Sequence, residues 1–533
     1  MISNTDGNRN TAMGSGSLDA LTTGNNNTAI GYNAATARTT GNDNVAVGAY
    51  CMNAAATANN NTAVGKSAMH DLTTGSENVA LGLNALFACT TGYNNVALGY
   101  RALDAATTVH SCIAIGYDAL GAVNTGNSNV AIGRAAMGAN TSGSGTAVGS
   151  YAMGANTTGT NNTAVGYQAL DTNTTGSNNT AVGHEALDAN TTASGNTALG
   201  YAALQANTTG ATNTAVGHNA MLGMTTGDHN VAIGAQALED NTTGTGNVAM
   251  GYDAMRTSTT SSYNTGIGFY ALRANETGVR NAAVGYRALR YNTNDDNTAV
   301  GYEALLNNTT GNQNTAVGKN ALYSNQAGVN NTAIGKNALY NCTNSGNTAI
   351  GEYAGGAVTT GDSNVFIGKN VGGITNGVHN IMLGYDFTVG NQSNLVAFNN
   401  SSQTISCSGS SNSFTFSSDG RDKTDIVDLT LGLEFIKKLT PRKFRWDYRD
   451  KTRFPKGWED DPDMLIKAGF IAQEVQEVLK EENAEYTAIV DAKDPDKLQV
   501  GASGMIPMMI NAIKELSAEN TALKARVTAL EGG

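Results

Sequence analysis

Apolar and polar residues alternate along this chain in short strings that return at one interval. Asn162 Thr163 Ala164 Val165 Gly166 is representative: Thr163 and Val165 fall on one side of an extended strand, Asn162 and Ala164 on the other. The closing glycine recurs 23 times from Gly14 to Gly384, with 18 spacings of 17 residues and four of 16. A glycine ending each strand predicts a bend or a close backbone approach there. The residues that follow, Tyr167 Gln168 Ala169 Leu170, fit either a second short strand or a single helical turn, and Thr174 Thr175 Gly176 is a turn signal. Seventeen residues are too few for a helix pair but suffice for one coil of a solenoid. The predicted fold class is mainly β, a parallel β-solenoid or β-roll of about 23 coils over residues 1–384. Strands stacked at about 4.8 Å would make a rod of roughly 110 Å.

The asparagine four residues before each glycine is present in 21 of 23 copies, Cys112 and Gly145 being the exceptions. One amide per coil at one position predicts a side-chain ladder that satisfies polar groups a thin core leaves unpaired. The same Asn-x-Thr strings read as glycosylation acceptors, but their strict period favours the ladder.

Composition divides the chain. All five prolines and both tryptophans lie beyond residue 440, all six histidines lie inside the repeats, and charge concentrates from Asp419 onward. A net charge of -12 argues against a nucleic-acid partner, which needs a basic face. Cys51, Cys89, Cys112, Cys342 and Cys407 are odd in number and mostly far apart, so no disulfide framework follows. No apolar run approaches a membrane span, and Met1 to Asn10 lacks the apolar region of a signal peptide, so neither membrane insertion nor the usual secretory export is expected. No cofactor and no metal are expected.

The repeats resemble the head of trimeric autotransporter adhesins, a left-handed parallel β-roll built on a strand close to N-S-V-A-I-G. The resemblance covers residues 10–384 and implies three rolls side by side, although the period differs.

Beyond the repeats, Ser418 Asp419 Gly420 Arg421 Asp422 Lys423 opens a second pattern, followed by Leu433, Leu439, Pro441, Phe444, Trp446 and then Gly469 Phe470 Ile471 Ala472 Gln473 Glu474 Val475. This resembles the endosialidase-type intramolecular chaperone domain, found at the C-termini of phage tail fibres and tailspikes. The resemblance covers residues 418–533 and implies an α+β domain that trimerises, helps the upstream rod to trimerise, and commonly cuts itself off before its opening serine. It makes Asp419, Arg421, Gly469, Phe470, Gln473 and Glu474 the chaperone motif, Ser418 the nucleophile, Lys423 the base and Ser417–Ser418 the scissile bond. A hydroxyl attacks once a neighbour takes its proton, and lysine does so when desolvation or a cation such as Arg421 lowers its pKa. The competing reading makes Ser418 to Arg421 a polar turn entering the domain.

The last helix points to self-association on its own. Ile506, Met509, Ile513, Leu516, Asn520, Leu523, Val527 and Leu530 alternate three and four residues apart, a coiled-coil seam over 506–531 with Asn520 as its polar layer. Two and three strands both fit. Residues 385–417 lose the repeat, and Phe414 and Phe416 alternate as in a β-rich neck; a flexible linker is the other reading.

These readings converge on a homotrimeric fibre or receptor-binding protein of a phage or phage-like particle, on the virion or an extracellular particle surface. Its partners would be itself, other fibre or particle proteins, and a host-surface receptor, with glycans among the candidates. The array has no tryptophan and no carboxylate pair standing out at a fixed coil position, so an enzyme acting on external substrate is not expected. Single-turnover self-cleavage is the most that is expected. A bacterial surface adhesin is the alternative; an ice- or mineral-binding solenoid, suggested by recurring threonines, fits the chaperone-like tail poorly.

Overall fold

The computed structural model describes residues 5–399, 404–408, 415–416, 428–444, 467–484, 489–491, 499–500 and 502–532. The chain divides into two compact units, Met1–Ser417 and Ser418–Gly533.

The first unit is a parallel β-solenoid. Each coil contributes one strand of three or four residues to the main sheet, from Thr11–Met13 to Ile381–Leu383, paired with its neighbours in the stack, and the last two coils add a second short parallel pair, Val371–Gly372 with Phe387–Thr388. Register sets like on like: Thr163 lies opposite Thr180, Ala164 opposite Ala181, Val165 opposite Val182. Leu395–Asn399 adds one further parallel strand, and Thr404–Ser408 and Thr415–Phe416 then continue the sheet antiparallel.

The Tyr167 to Leu170 segment is neither strand nor helical turn. Gln168 at φ 52° and Leu170 at φ 56° both sit in the left-handed region, and so does Asn178 at φ 60°. A bulky residue there costs roughly 1–2 kcal/mol. Inter-coil bonding offsets that cost: Gln168 N–H donates to Ser150 O at 3.1 Å, Leu170 N–H to Ala186 O at 2.9 Å and Thr174 N–H to Thr191 O at 2.8 Å. The left-handed residues turn alternate amides up and down the stack, so segments without regular strand geometry still bond to both neighbouring coils.

The repeated glycine is required twice over. Gly166 has φ +141°, and a Cβ there would stand 2.2 Å from the carbonyl oxygen of Gly183 in the next coil. Inside the coil, Ala164, Ala169 and Leu170 are fully buried, a core only a few side chains thick. Polar groups complete it. Asn162 Oδ1 accepts the Asn179 N–H at 2.9 Å, and Asn162 Nδ2 donates across the coil to Gly176 O at 2.8 Å. The ladder expected four residues before each glycine is therefore present. A second ladder runs seven residues after it, where Asn173 Nδ2 donates to Asn156 Oδ1 at 2.8 Å and to Gly176 O at 3.0 Å.

In the second unit, helix α1 (Leu433–Lys438), helix α2 (Ala472–Glu481) and helix α3 (Ala502–Glu531) accompany two short antiparallel pairs, Arg442–Phe444 with Lys467–Gly469 and Val490–Asp491 with Gln499–Val500. Their common core includes Leu431, Phe435, Val475, Leu479, Ile489, Met505 and Met508.

Candidate functional site

Helix α3 carries two apolar stripes. Met505, Met508 and Ala512, three and four residues apart, are buried. One position round the helix, Ile506, Met509, Ile513, Leu516, Leu523, Val527 and Leu530 are uncovered, with Ile513 67% and Leu530 82% exposed. Asn520 shares that exposed face, and every residue from Ile513 to Gly532 is exposed. Two contacts fasten the first half of α3 beside α1. Asn511 Nδ2 donates to the carbonyls of Leu429 and Leu431, both at 3.1 Å. Glu515 Oε2 accepts the Leu433 N–H at 2.6 Å, supplying the N-terminal cap that Gly432 has no side chain to give.

The motif string bridges the hairpin and α2. Gly469 lies opposite Arg442 in the antiparallel pair, Phe470 packs half-buried against the core, and Gln473 is exposed in the first turn of α2. Glu474 grips Arg442 with both oxygens, at 2.8 Å to Nη2 and 3.0 Å to Nε. That fork ties strand to helix, and the carboxylate holds the Arg442 guanidinium above its usual pKa. Nothing in the sequence pairs these two residues, which are 32 positions apart. Ser417, Ser418, Asp419, Arg421 and Lys423 lie outside the described residues.

The solenoid has its own surface chemistry. The position before each repeated glycine is Val, Ile, Leu or Met in all 23 coils and points outward; Leu81 is 51% and Leu199 48% exposed. The position after the glycine stacks rings from coil to coil. Tyr167, His184, Tyr201 and His218 form one run with centroids 5.1, 5.4 and 5.1 Å apart. Tyr252, Phe269, Tyr286 and Tyr302 form another at 5.3, 5.6 and 5.0 Å. Sequence reading missed both ring runs and the second asparagine ladder, although aligning coils on the glycine places each in a column.

Two groups sit against their surroundings. Arg38 is fully buried in the coil core with no carboxylate partner among the described residues, bonded to Ala58 O at 2.8 Å, and burial pushes its pKa down to about 10. Asp188 lies one coil on from Asp171, and burial, then repulsion from Asp171 and Glu185, pushes its carboxyl up to about 6. Cys51, Cys89, Cys112 and Cys342 are buried free thiols, with burial pushing Cys51 up to about 12; such thiols pack as small apolar groups.

Residues 418–483 match the family model described as the chaperone of endosialidase. The match spans the opening serine motif, the Gly469 to Glu474 string and α2, and ends before α3. It supports the chaperone part of the sequence reading. Comparison with curated proteins and with solved structures returned no match.

Proposed function

We propose that this chain is the subunit of a homotrimeric fibre of a phage or phage-like particle, whose C-terminal unit acts as an intramolecular chaperone for the solenoid. The observation that carries this reading is the uncovered seam of α3, from Ile513 to Leu530, in a unit that matches the endosialidase chaperone family. A helix exposed all round over most of its length is marginal alone and gains stability by burying its apolar stripe against copies of itself. The aliphatic column before the repeated glycines gives the solenoid a much longer apolar face of its own, suited to side-by-side packing.

A chaperone suits this repeat because coils that pair with neighbours in identical register also pair one coil out of step. A trimerising end unit sets the register of three chains before the stack closes. In the release step, Ser418 Oγ attacks the carbonyl carbon of Ser417, Lys423 takes the hydroxyl proton and returns it to the departing amide nitrogen, and water hydrolyses the resulting ester. Surface recognition would use the repeated outer face, where weak contacts sum by avidity.

Light scattering on the purified chain tests the assembly: a mass three times that of the chain, or of its cleaved solenoid, is expected, and a monomer of 54.8 kDa overturns it. Expression without residues 418–533 should yield insoluble or misregistered product; soluble regular trimers would remove the chaperone role. Intact mass spectrometry should show a fragment beginning at Ser418, lost in Ser418→Ala and Lys423→Ala.

A further inference from the structure

Near its C-terminal end the solenoid surface is interrupted. Counting five residues past each repeated glycine gives a column in which Tyr323 and Tyr340 stand in successive coils, with rings stacked 5.0 Å apart at 5°. The next two places in that column are Gly356 and Gly373, so the stack stops although the backbone continues. The vacancy is a cleft of about 570 Å³, within the usual range for small-molecule sites.

Its lining is specific in chemistry. Tyr340 closes one end, and the next place along its stack lies over Gly356. Tyr353 forms a wall, braced on its ring by Lys336 Nζ at 5.5 Å. Asn320, Asn337 and Asn370 add amides, and no charged side chain lines the cleft among the described residues. Asn337 is only 8% exposed, yet its Oδ1 has no hydrogen-bond partner among the described residues, and neither has Asn320 Oδ1. Buried amide oxygens left unpaired are costly, and a ligand bringing donors relieves that cost once the amides turn toward it.

The charges nearest the cleft are already engaged, Lys336 with Glu352 and Asp386 with Asn370, so a charged ligand would find no free counter-ion in its lining, and a purely apolar one would leave the amides unsatisfied. A pyranose ring fits both demands, because its C–H face packs on an aromatic ring while its hydroxyls donate and accept around the edge. We infer that this cleft is a binding site for a neutral saccharide, in which a sugar ring takes the stacking place after Tyr323 and Tyr340, over Gly356. Three copies per trimer would then add by avidity along one fibre. The inference deepens the receptor-binding side of the fibre reading by naming the ligand class and the place.

The glycine is the lever for a test. A Cβ on Gly356 meets its nearest atoms at 3.3, 3.6 and 3.7 Å, and its backbone is outside the left-handed region. Gly356→Tyr therefore extends the existing stack into the vacancy with little disturbance of the coil. Saturation-transfer NMR on the assembled full chain, with glucose, galactose, mannose and N-acetylglucosamine as separate probes, should show transfer to at least one sugar. Gly356→Tyr should abolish it, as should Tyr340→Ala, which keeps the vacancy and removes the platform. Circular dichroism unchanged from wild type establishes that each variant is folded. Absence of transfer to all four sugars overturns the inference, as does transfer that survives both variants, or equal transfer to N-acetylneuraminic acid or glucosamine in place of a neutral sugar. The trimer mass, measured on the same samples, reports on the fibre reading independently.

Discussion

Asn61 Oδ1 accepts two hydrogen bonds from Asn78 in the next coil, 3.0 Å from its backbone N and 3.1 Å from its Nδ2. The same Asn78 Nδ2 reaches 2.9 Å to Gly92 O on the far side of the coil. Each such amide thus joins two coils and also braces its own coil across a core too thin to be stabilised by apolar burial alone.

Asn78→Ala is expected to leave the Asn95 N–H and the Gly92 carbonyl without their partner, since Asn95 N lies 3.0 Å from Asn78 Oδ1. The orphaned N–H, together with a carbonyl left only the weak Cys89 Sγ–H donor at 3.9 Å, costs about 2 kcal/mol, roughly thirtyfold in local opening. Hydrogen exchange measured on peptides covering residues 75–97 checks this; unchanged protection there would show that the ladder contributes little.

Arg38→Leu should stabilise the N-terminal coils rather than damage them. The column already holds Leu21 one coil earlier and Leu72 two coils later, both fully buried. Ala58 O keeps a donor in Asn44 Nδ2 at 3.0 Å after Arg38 is gone. Relieving an unpaired buried guanidinium is worth on the order of 1–3 kcal/mol. A lower melting temperature for the variant would mean that Arg38 holds the core together in a way its contacts do not reveal.

The carboxyl of Asp188, raised to about 6 in the folded chain, binds its proton more tightly there than when unfolded. Stability from this group is therefore fully present below the unfolded value near 4 and is lost as pH rises through about 6. Asp188→Asn should raise stability at pH 7 by on the order of 1 kcal/mol, after allowance for screening of a partly exposed group, and leave it nearly unchanged at pH 4. Chemical denaturation at the two pH values separates this from a pH-independent effect.

Leu516→Asp combined with Leu523→Asp places charges on the uncovered stripe of α3, far from the buried stripe of Met505 and Met508. The expected result is loss of trimer mass in light scattering with helix α1 and the unit core intact by circular dichroism. Retained trimers would move the source of assembly to the solenoid face.

Much of this fold is legible in the sequence because a coil is a local object copied many times. The strand, the glycine that ends it and the asparagine four residues earlier each recur in register, and Gly166 and Asn162 can be assigned their roles by counting. The chaperone-like region is legible through the motif strings at Ser418 and Gly469 rather than through any periodicity. Less legible was what depends on residues meeting across the coil or between elements: the Arg442 fork on Glu474, the cap that Glu515 provides for α1, and the split of α3 into a covered and an uncovered stripe.

By itself, the sequence determined the repeat, the parallel stacking, the first amide ladder and the apolar seam of α3, since each follows from spacing and residue type alone. Only the tertiary structure decided the path between strands. Local preference gives Leu170 no reason to adopt φ 56°; burial of its side chain and the bond from its N–H to Ala186 O outweigh the strain. The same holds for the cleft at Gly356. A glycine five residues past the repeat also opens a cleft at Gly121, Gly138 and Gly154, where Arg101, Asp118 and Asp171 line it; at Gly356 the opening gains an aromatic platform because Tyr340 stands directly before it in the stack.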